Sequence, residues 1–220
     1  LLDFELGYNY SGSNWHAGAN FYYMDYKDQF VQTGAQSDIG ENLTVNIDKS
    51  YRMGVELSAD WSPLRWLTLA GNAALSENKI KDFDEVVETY DGDWNDMDPT
   101  TVHYDRSTLA FSPSAILNGF LNFHYAGFQA VWHTNFVSRQ YIDNTENKDR
   151  SLPSYSQTNV KLNYTWNVAK KFAGLKEVVF GLNLNNIFDR HYASSAWAYS
   201  AIVGDKYPEN NRYYQLGYIP

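Results

Sequence analysis

Ser50-Tyr51-Arg52-Met53-Gly54-Val55-Glu56-Leu57-Ser58-Ala59-Asp60-Trp61 alternates without a break. Tyr51, Met53, Val55, Leu57, Ala59 and Trp61 fall on one face; Arg52, Gly54, Glu56, Ser58 and Asp60 fall on the other. Successive side chains of a strand point to opposite sides, so this is a strand with one apolar and one polar face. The same period runs through residues 3–11, where Phe4, Leu6, Tyr8 and Tyr10 alternate with Glu5, Gly7 and Asn9. It returns in 158–166 with Val160, Leu162, Tyr164 and Trp166, and in 178–185 with Val178, Phe180, Leu182 and Leu184. Residues 15–31, 67–79, 114–125 and 128–141 read as noisier strands. No stretch has the 3.6-residue period of an amphipathic helix.

Short and long connections alternate between these eight strands. Ser11-Gly12-Ser13-Asn14, Ser62-Pro63-Leu64-Arg65, Ala126-Gly127 and, less tightly, Asn167–Glu177 are short and carry turn residues. The segments 32–49, 80–107, 142–154 and 189–220 are long and polar. Short turns at one end and long loops at the other mark an antiparallel up-and-down transmembrane barrel. A soluble sandwich with ordinary aromatic core packing leaves that ordering unexplained.

Composition agrees. Among 220 residues 44% are hydrophobic and 20% charged, which excludes a disordered chain. The net charge of −9 argues against a nucleic-acid partner, which needs a basic face. With no cysteine there is no disulfide, thiolate metal site or thiol nucleophile. No run approaches the ~20 apolar residues of a membrane-spanning helix. The mean hydropathy of −0.51 does not speak against a barrel, whose strands are polar on every second residue. The polar face, with Glu5, Arg52, Glu56, Asp60 and Lys161, is too charged for lipid and suits a wet or plugged lumen. The apolar face carries Tyr8, Tyr10, Trp15, Trp61, Tyr125, Trp132 and Trp166, as the aromatic girdles at the membrane boundaries require.

Towards the end of the chain, Asn183-Leu184-Asn185-Asn186-Ile187-Phe188-Asp189-Arg190-His191-Tyr192 resembles the N-L-F-D-x-x-Y signature of TonB-dependent outer-membrane receptors, through Asn185, Asn186, Phe188, Asp189 and Tyr192. Ala19-Asn20-Phe21-Tyr22-Tyr23-Met24-Asp25-Tyr26-Lys27-Asp28-Gln29 resembles the family's F-Y-x-D-Y-K-D-Q strand. Tyr51–Leu57 resembles its G-V-E-L strand, and Leu67–Asn72 its L-T-L-x-G-N strand. The resemblance implies a transporter barrel of about 22 strands with a plugged lumen. The chain 1–220 is then its C-terminal portion, with the plug, the TonB box and one last strand lying outside these residues. It further implies an integral protein of a Gram-negative outer membrane, with outer-membrane lipid around it and the TonB complex as energy partner. The ligand expected from that branch is a small metal chelate of iron–siderophore, haem or cobalamin type. No enzyme activity, cofactor or metal site is expected. The alternative is a complete eight-stranded outer-membrane barrel acting as an enzyme or adhesin; a soluble β-rich binding protein comes third.

Three constellations bear on chemistry. His124, His133, Asn135 and Arg139 could be part of an esterase site, but no nucleophile has an activating base at local spacing, and lumen-facing polar residues explain them better. Between Lys81 and Asp105 lie nine acidic residues, and Asp91-Gly92-Asp93-Trp94-Asn95-Asp96 begins like a calcium loop. Asp96 replaces the turn glycine and Val102 the bidentate glutamate, so the EF-hand reading fails. Tyr90, Trp94, Trp197, Tyr199, Tyr207, Tyr213 and Tyr214 sit in the two longest outer segments, where rigid amphipathic rings supply ligand contacts or pack loop on loop. Tyr90, Trp94, Trp197 and Tyr199 are taken as the candidate ligand-binding residues.

Overall fold

The computed structural model describes residues 1–36, 41–169, 174–204 and 212–219. Its strands are β1 (Leu2–Ser11), β2 (Trp15–Gln36), β3 (Asn42–Leu64), β4 (Leu67–Tyr90), β5 (Asp96–Thr108), β6 (Ala115–Tyr125) and β7 (Phe128–Val137). There follow β8 (Gln140–Tyr141), β9 (Ser151–Leu152), β10 (Tyr155–Asn167), β11 (Glu177–Leu184), β12 (Ser195–Val203) and β13 (Arg212–Ile219). The path β1-β2-β3-β4-β6-β7-β10-β11 forms one antiparallel wall, and its eight strands are the eight read from the sequence. Its two end strands do not pair with each other, so the wall is an open part of a barrel. That corrects the alternative of a closed eight-stranded barrel.

The register gives the wall two chemically distinct faces. On one, Trp15, Trp61, Leu69, Leu121, Trp132, Val160 and Leu184 stand in a row across neighbouring strands. Val55, Leu57, Leu162, Phe180 and Leu182 share that face, as expected for the lipid side. On the other, Asn9, Gly18, Ser58, Asn72, Asn118, Asn135 and Gln157 stand in a row. Their amides bond along it: Asn118 Nδ2 donates to Asn72 Oδ1 at 2.9 Å, and Asn135 Nδ2 to Asn118 Oδ1 at 3.0 Å. Arg52, Glu56, Lys161 and Asn183 lie on this polar face, which is concave: hollows on it are lined by Glu5, Asn20, Arg52 and Glu56.

The turns explain why the wall is so regular below. Tyr125 pairs directly with Phe128, leaving Ala126 and Gly127 as a two-residue turn with φ of 49° and 84°. Both positive values match the primed turns that suit the twist of a hairpin. A Cβ at Gly127 would also lie 2.6 Å from the Thr165 carbonyl oxygen, so glycine is required there twice over.

At the other end the structure departs from the sequence reading. The segments 32–49, 80–107 and 189–220, expected as polar connections, contain strand. β2, β3 and β4 run for 22, 23 and 24 residues, whereas a tilted strand crosses hydrocarbon in ~9–11. Their outer halves therefore stand above the membrane, where β5 pairs with β4 and β12 pairs with β13. β12 also lies parallel to the end of β4, with Ala201, Ile202 and Val203 opposite Glu88, Thr89 and Tyr90. Asp28 and Asp82, at φ of 55° and 53°, interrupt the regular backbone of β2 and β4 there. Beyond Asp82 the alternation shifts, so Phe83 packs on the same cluster as Ile80.

The buried core lies in this outer part. One cluster joins Val31, Ile47, Ile80 and Leu109; another joins Ile142, Leu152, Ala196 and Ala198. Of the fully buried aliphatic side chains among the described residues, Val168, in the lower connection, lies away from it.

Candidate functional site

The outer core is tied by one buried cation. Arg150, 3% exposed, places Nη1 2.6 Å from Asp143 Oδ2 and 3.2 Å from Glu85 Oε1. The same nitrogen donates to Ser200 Oγ at 3.1 Å, and Nη2 donates to Thr145 Oγ1 at 2.8 Å. One side chain thus joins the 142–154 segment to β4 and β12. Burial pushes the Asp143 carboxyl above its ordinary value, against the opposing pull of Arg150 and the bonds from Thr145. Glu146 goes the other way: burial raises it, but bonds from Lys79 and Thr108 outweigh that and hold it below the usual range.

β12 carries the knot on one side and an aromatic patch on the other. Tyr199 donates to Glu88 Oε2 at 2.7 Å, and Tyr90 donates to the same oxygen at 3.0 Å. The two tyrosine hydroxyls are 3.3 Å apart. Burial, then the bonds to Tyr90 and the Glu88 carboxylate, push the Tyr199 hydroxyl well above its ordinary value, so it stays a donor. Trp94 tilts against Tyr90 at 5.5 Å between centroids and meets the edge of Tyr213 at 5.4 Å. A cavity of ≈ 570 Å³ opens beside this patch, walled by Phe83, Glu85, Glu88, Arg150, Tyr199 and Ser200.

Three of the four candidate ligand residues, Tyr90, Trp94 and Tyr199, are therefore brought together. Tyr90 and Tyr199 sit on strands, not in irregular loops. Trp197 shares the Tyr199 face of β12 but lies over Gly217, where no Cβ would fit against its indole. Tyr207 lies outside the described residues, as does the side chain of Tyr214. Glu88 was read only as one of the nine acidic residues between Lys81 and Asp105, and Arg150 and Ser200 were not singled out in the sequence. The contacts of Glu88 with Tyr199 and of Arg150 with Ser200 join distant segments, which no local pattern announces.

The remaining candidates resolve into structure. Asp91 accepts from the backbone of Asp93 at 2.8 Å and of Asn95 at 2.9 Å, so the calcium-like stretch is a self-bonded turn. His133 contacts Asn118 Oδ1 at 3.0 Å and stacks on Phe120 at 4.4 Å, on the polar face of the wall. The signature residues build the end of the wall. Asn186, at φ 50°, accepts from the Arg190 backbone at 3.0 Å and donates to the Arg190 carbonyl at 3.1 Å. Its backbone donates to Asn159 Oδ1 at 2.8 Å, and Ile187 N donates to the Thr158 carbonyl at 2.9 Å. Asp189 N donates back to the Asn186 carbonyl, Phe188 meets Trp132 edge-on at 5.9 Å, and Tyr192 stacks on Tyr155 at 4.2 Å. Asparagine accepts the left-handed conformation more readily than most residues, and that geometry lets one amide close the turn. Asn185 directly follows β11.

Known proteins agree with this architecture. The family model of the TonB dependent receptor-like β-barrel matches residues 3–187. Among solved structures, the ferric yersiniabactin uptake receptor FyuA from Yersinia pestis is 18% identical, with a TM-score of 0.61 over 98% of this chain and 27% of its own. The siderophore receptor PiuA from Acinetobacter baumannii is 15% identical, with a TM-score of 0.60 over 89% of this chain and 25% of its own. The copper transporter OprC is 16% identical, with a TM-score of 0.58 over 86% and 25%. Among curated protein sequences no significant match is found. The chain spans about a quarter of the length of the structures it matches. With the two-faced open wall and the family match over most of its length, the chain belongs to the TonB-dependent receptor β-barrel family, whose barrels are integral to the outer membrane of Gram-negative bacteria.

Proposed function

We propose that residues 1–220 are the C-terminal portion of the barrel of an active transport receptor, one that takes up a scarce metal chelate of iron–siderophore, haem or cobalamin type with energy delivered through TonB. The observation that carries the ligand half is the patch of Tyr90, Trp94, Tyr199 and Tyr213 beside a cavity at the outer end of the wall. Flat aromatic or macrocyclic groups stack on such rings, and the Glu88 carboxylate accepts hydrogen bonds from a ligand that displaces a tyrosine hydroxyl. The acidic side chains from Asp82 to Asp98 weigh against a strongly anionic face at that point, because like charges are costly to desolvate together. That similar structures include siderophore receptors and a copper transporter supports the chelate class.

Within the wall, the polar row from Asn9 to Gln157 runs across the strands and offers amides and hydroxyls to a plug and to water in the lumen. Growth of a deletion strain on defined sources tests the reading. Loss of growth on one ferric siderophore, haem or cobalamin supports it. Loss of growth on a polysaccharide, with iron and cobalamin use intact, overturns it.

A further inference from the structure

We infer that the outward face just above the apolar band is a docking surface for the phosphate-bearing headgroups of outer-leaflet lipid, held by Lys27, Lys49, Lys81 and Arg106. The strand register carries the inference. Lys27 pairs with Lys49, Lys49 with Lys81, and Lys81 with Arg106. Four cations thus stand side by side across four adjacent strands, at the ~4.8 Å spacing of a sheet. All four are exposed, while Ser50, Ile80 and Ser107 in the adjacent row are 1%, 0% and 1% exposed. The charged row therefore points away from the interior.

Its height fits a headgroup. Lys27 lies four residues beyond Tyr23, and Lys49 four beyond Met53, on strands whose outward face is apolar up to those positions. At ~3.3 Å per residue and a 35–45° tilt this is roughly 10 Å above the hydrocarbon edge, and a lysine stem spans part of that distance. Like charges directly opposite one another in a sheet are destabilising without a counterion. Arg106 pairs with Glu77, and the Lys81 ammonium sits 5.3 Å from the centroid of the Tyr51 ring. Lys27 and Lys49 hold no ion pair among the described residues, and with Asp25 beside them on the same face the row still keeps a net positive charge. One step farther from the membrane, Asp28 and Asp48 fall between the Lys27–Lys49 and Gln29–Ile47 pairs, and Asp82 and Asp105 between the Lys81–Arg106 and Phe83–Tyr104 pairs. Those carboxylates repel phosphate from above; on the membrane side the same face carries Asp25 and the Arg106-bound Glu77, which the four cations outnumber. The chain as a whole is at −9, so the attraction is a property of this row and not of the overall field.

The test uses the complete receptor in detergent micelles doped with bis-phosphorylated lipid A or its fully dephosphorylated counterpart, with bound lipid read by native mass spectrometry. The receptor should retain the phosphorylated lipid preferentially. Lys27→Gln, Lys49→Gln and Lys81→Gln together should weaken that retention on the order of a hundredfold. Equal retention of the two lipids by the unmodified receptor, or undiminished preference in the folded triple variant, would overturn the docking surface. Should the triple variant lose its heat-modifiable gel mobility, the unmodified receptor decides. Its phosphorylated lipid should be released on raising salt to about 0.5 M, where screening shortens to a few ångström, and salt-independent retention would contradict the inference.

Discussion

Leu182 on β11 and Val86 on β4 are both largely uncovered by the rest of the chain, at 52% and 69% exposed, yet they belong to different solvents. Leu182 sits in the apolar band of the wall, among Leu162, Leu184 and Phe180, where lipid completes its surroundings. Val86 stands on the long outer extension of β4, where water does. In the band the chain buries almost nothing against itself, and large apolar side chains turn outward. In the outer part Ile80, Leu109, Ile142, Leu152 and Val203 are at most 1% exposed, packed in a core as in a soluble protein. The hydrophobic effect gathers side chains only where water is the alternative. One strand such as β4 therefore obeys two rules along its length.

The largest test of this contrast strikes the outer part. Arg150→Ala leaves Asp143 and Glu85 buried without their cation, and breaking such a pair costs about 3–5 kcal/mol. The 142–154 segment and β12 should lose hydrogen-exchange protection, while the apolar band keeps its own. Loss of protection across the band as well would show that the two parts are not separate. Next comes the wall. Leu182→Arg should destabilise the receptor in vesicles by about 2–4 kcal/mol. Val86→Arg, at a more exposed site, should fall within about 0.5 kcal/mol of the parent in the same urea titration.

Smaller effects sharpen the boundary. Ala126→Asn, which puts a residue tolerant of positive φ into the lower two-residue turn, should stabilise by about 1 kcal/mol. The smallest concerns His103, whose bond to Asp84 Oδ1 at 2.7 Å, with Asp105 behind it, raises its affinity for a proton. Its folded pKa lies above the ordinary 6.5, so its contribution is complete below about 6.5 and fades as pH rises through the raised folded value. The β4–β5 pairing should accordingly be better protected from hydrogen exchange at pH 6 than at pH 9, after correction for intrinsic rates. Asp84→Asn should shrink that difference, the Asp105 contact remaining.

The same contrast decides what could be read in the sequence. The eight wall strands, their two faces and their short turns were legible because lipid on one side and a polar lumen on the other impose a strict period of two. Above the band that pressure ends. β5 pairs with β4 alone and β13 with β12 alone among the described residues, and β5 is exposed along most of its length. Asp28 and Asp82 at positive φ break the alternation of β2 and β4, so this part carries no clean period. Tyr90, Trp94 and Tyr199 were visible as aromatics in polar segments, and the fold gathers them. Arg150 and Ser200 were invisible, because their roles exist only once residues separated by 50 positions meet. The row from Lys27 to Arg106 lay in plain view as Lys-Asp, Asp-Lys, Lys-Asp and Asp-Arg pairs, but only the register aligns them.

The most direct test follows β3, which crosses from one regime to the other. The chain has no cysteine of its own, so single cysteines carrying spin labels can be placed from Lys49 to Trp61 in the complete receptor, in vesicles. The two-solvent account predicts strong relaxation by lipid-soluble oxygen at positions 53, 55, 57 and 59 and weak relaxation at 54, 56 and 58. At position 49 the water-soluble nickel chelate should take over. Access of the nickel chelate to positions 55 and 57, or oxygen alternation that continues unchanged through position 49, would contradict it.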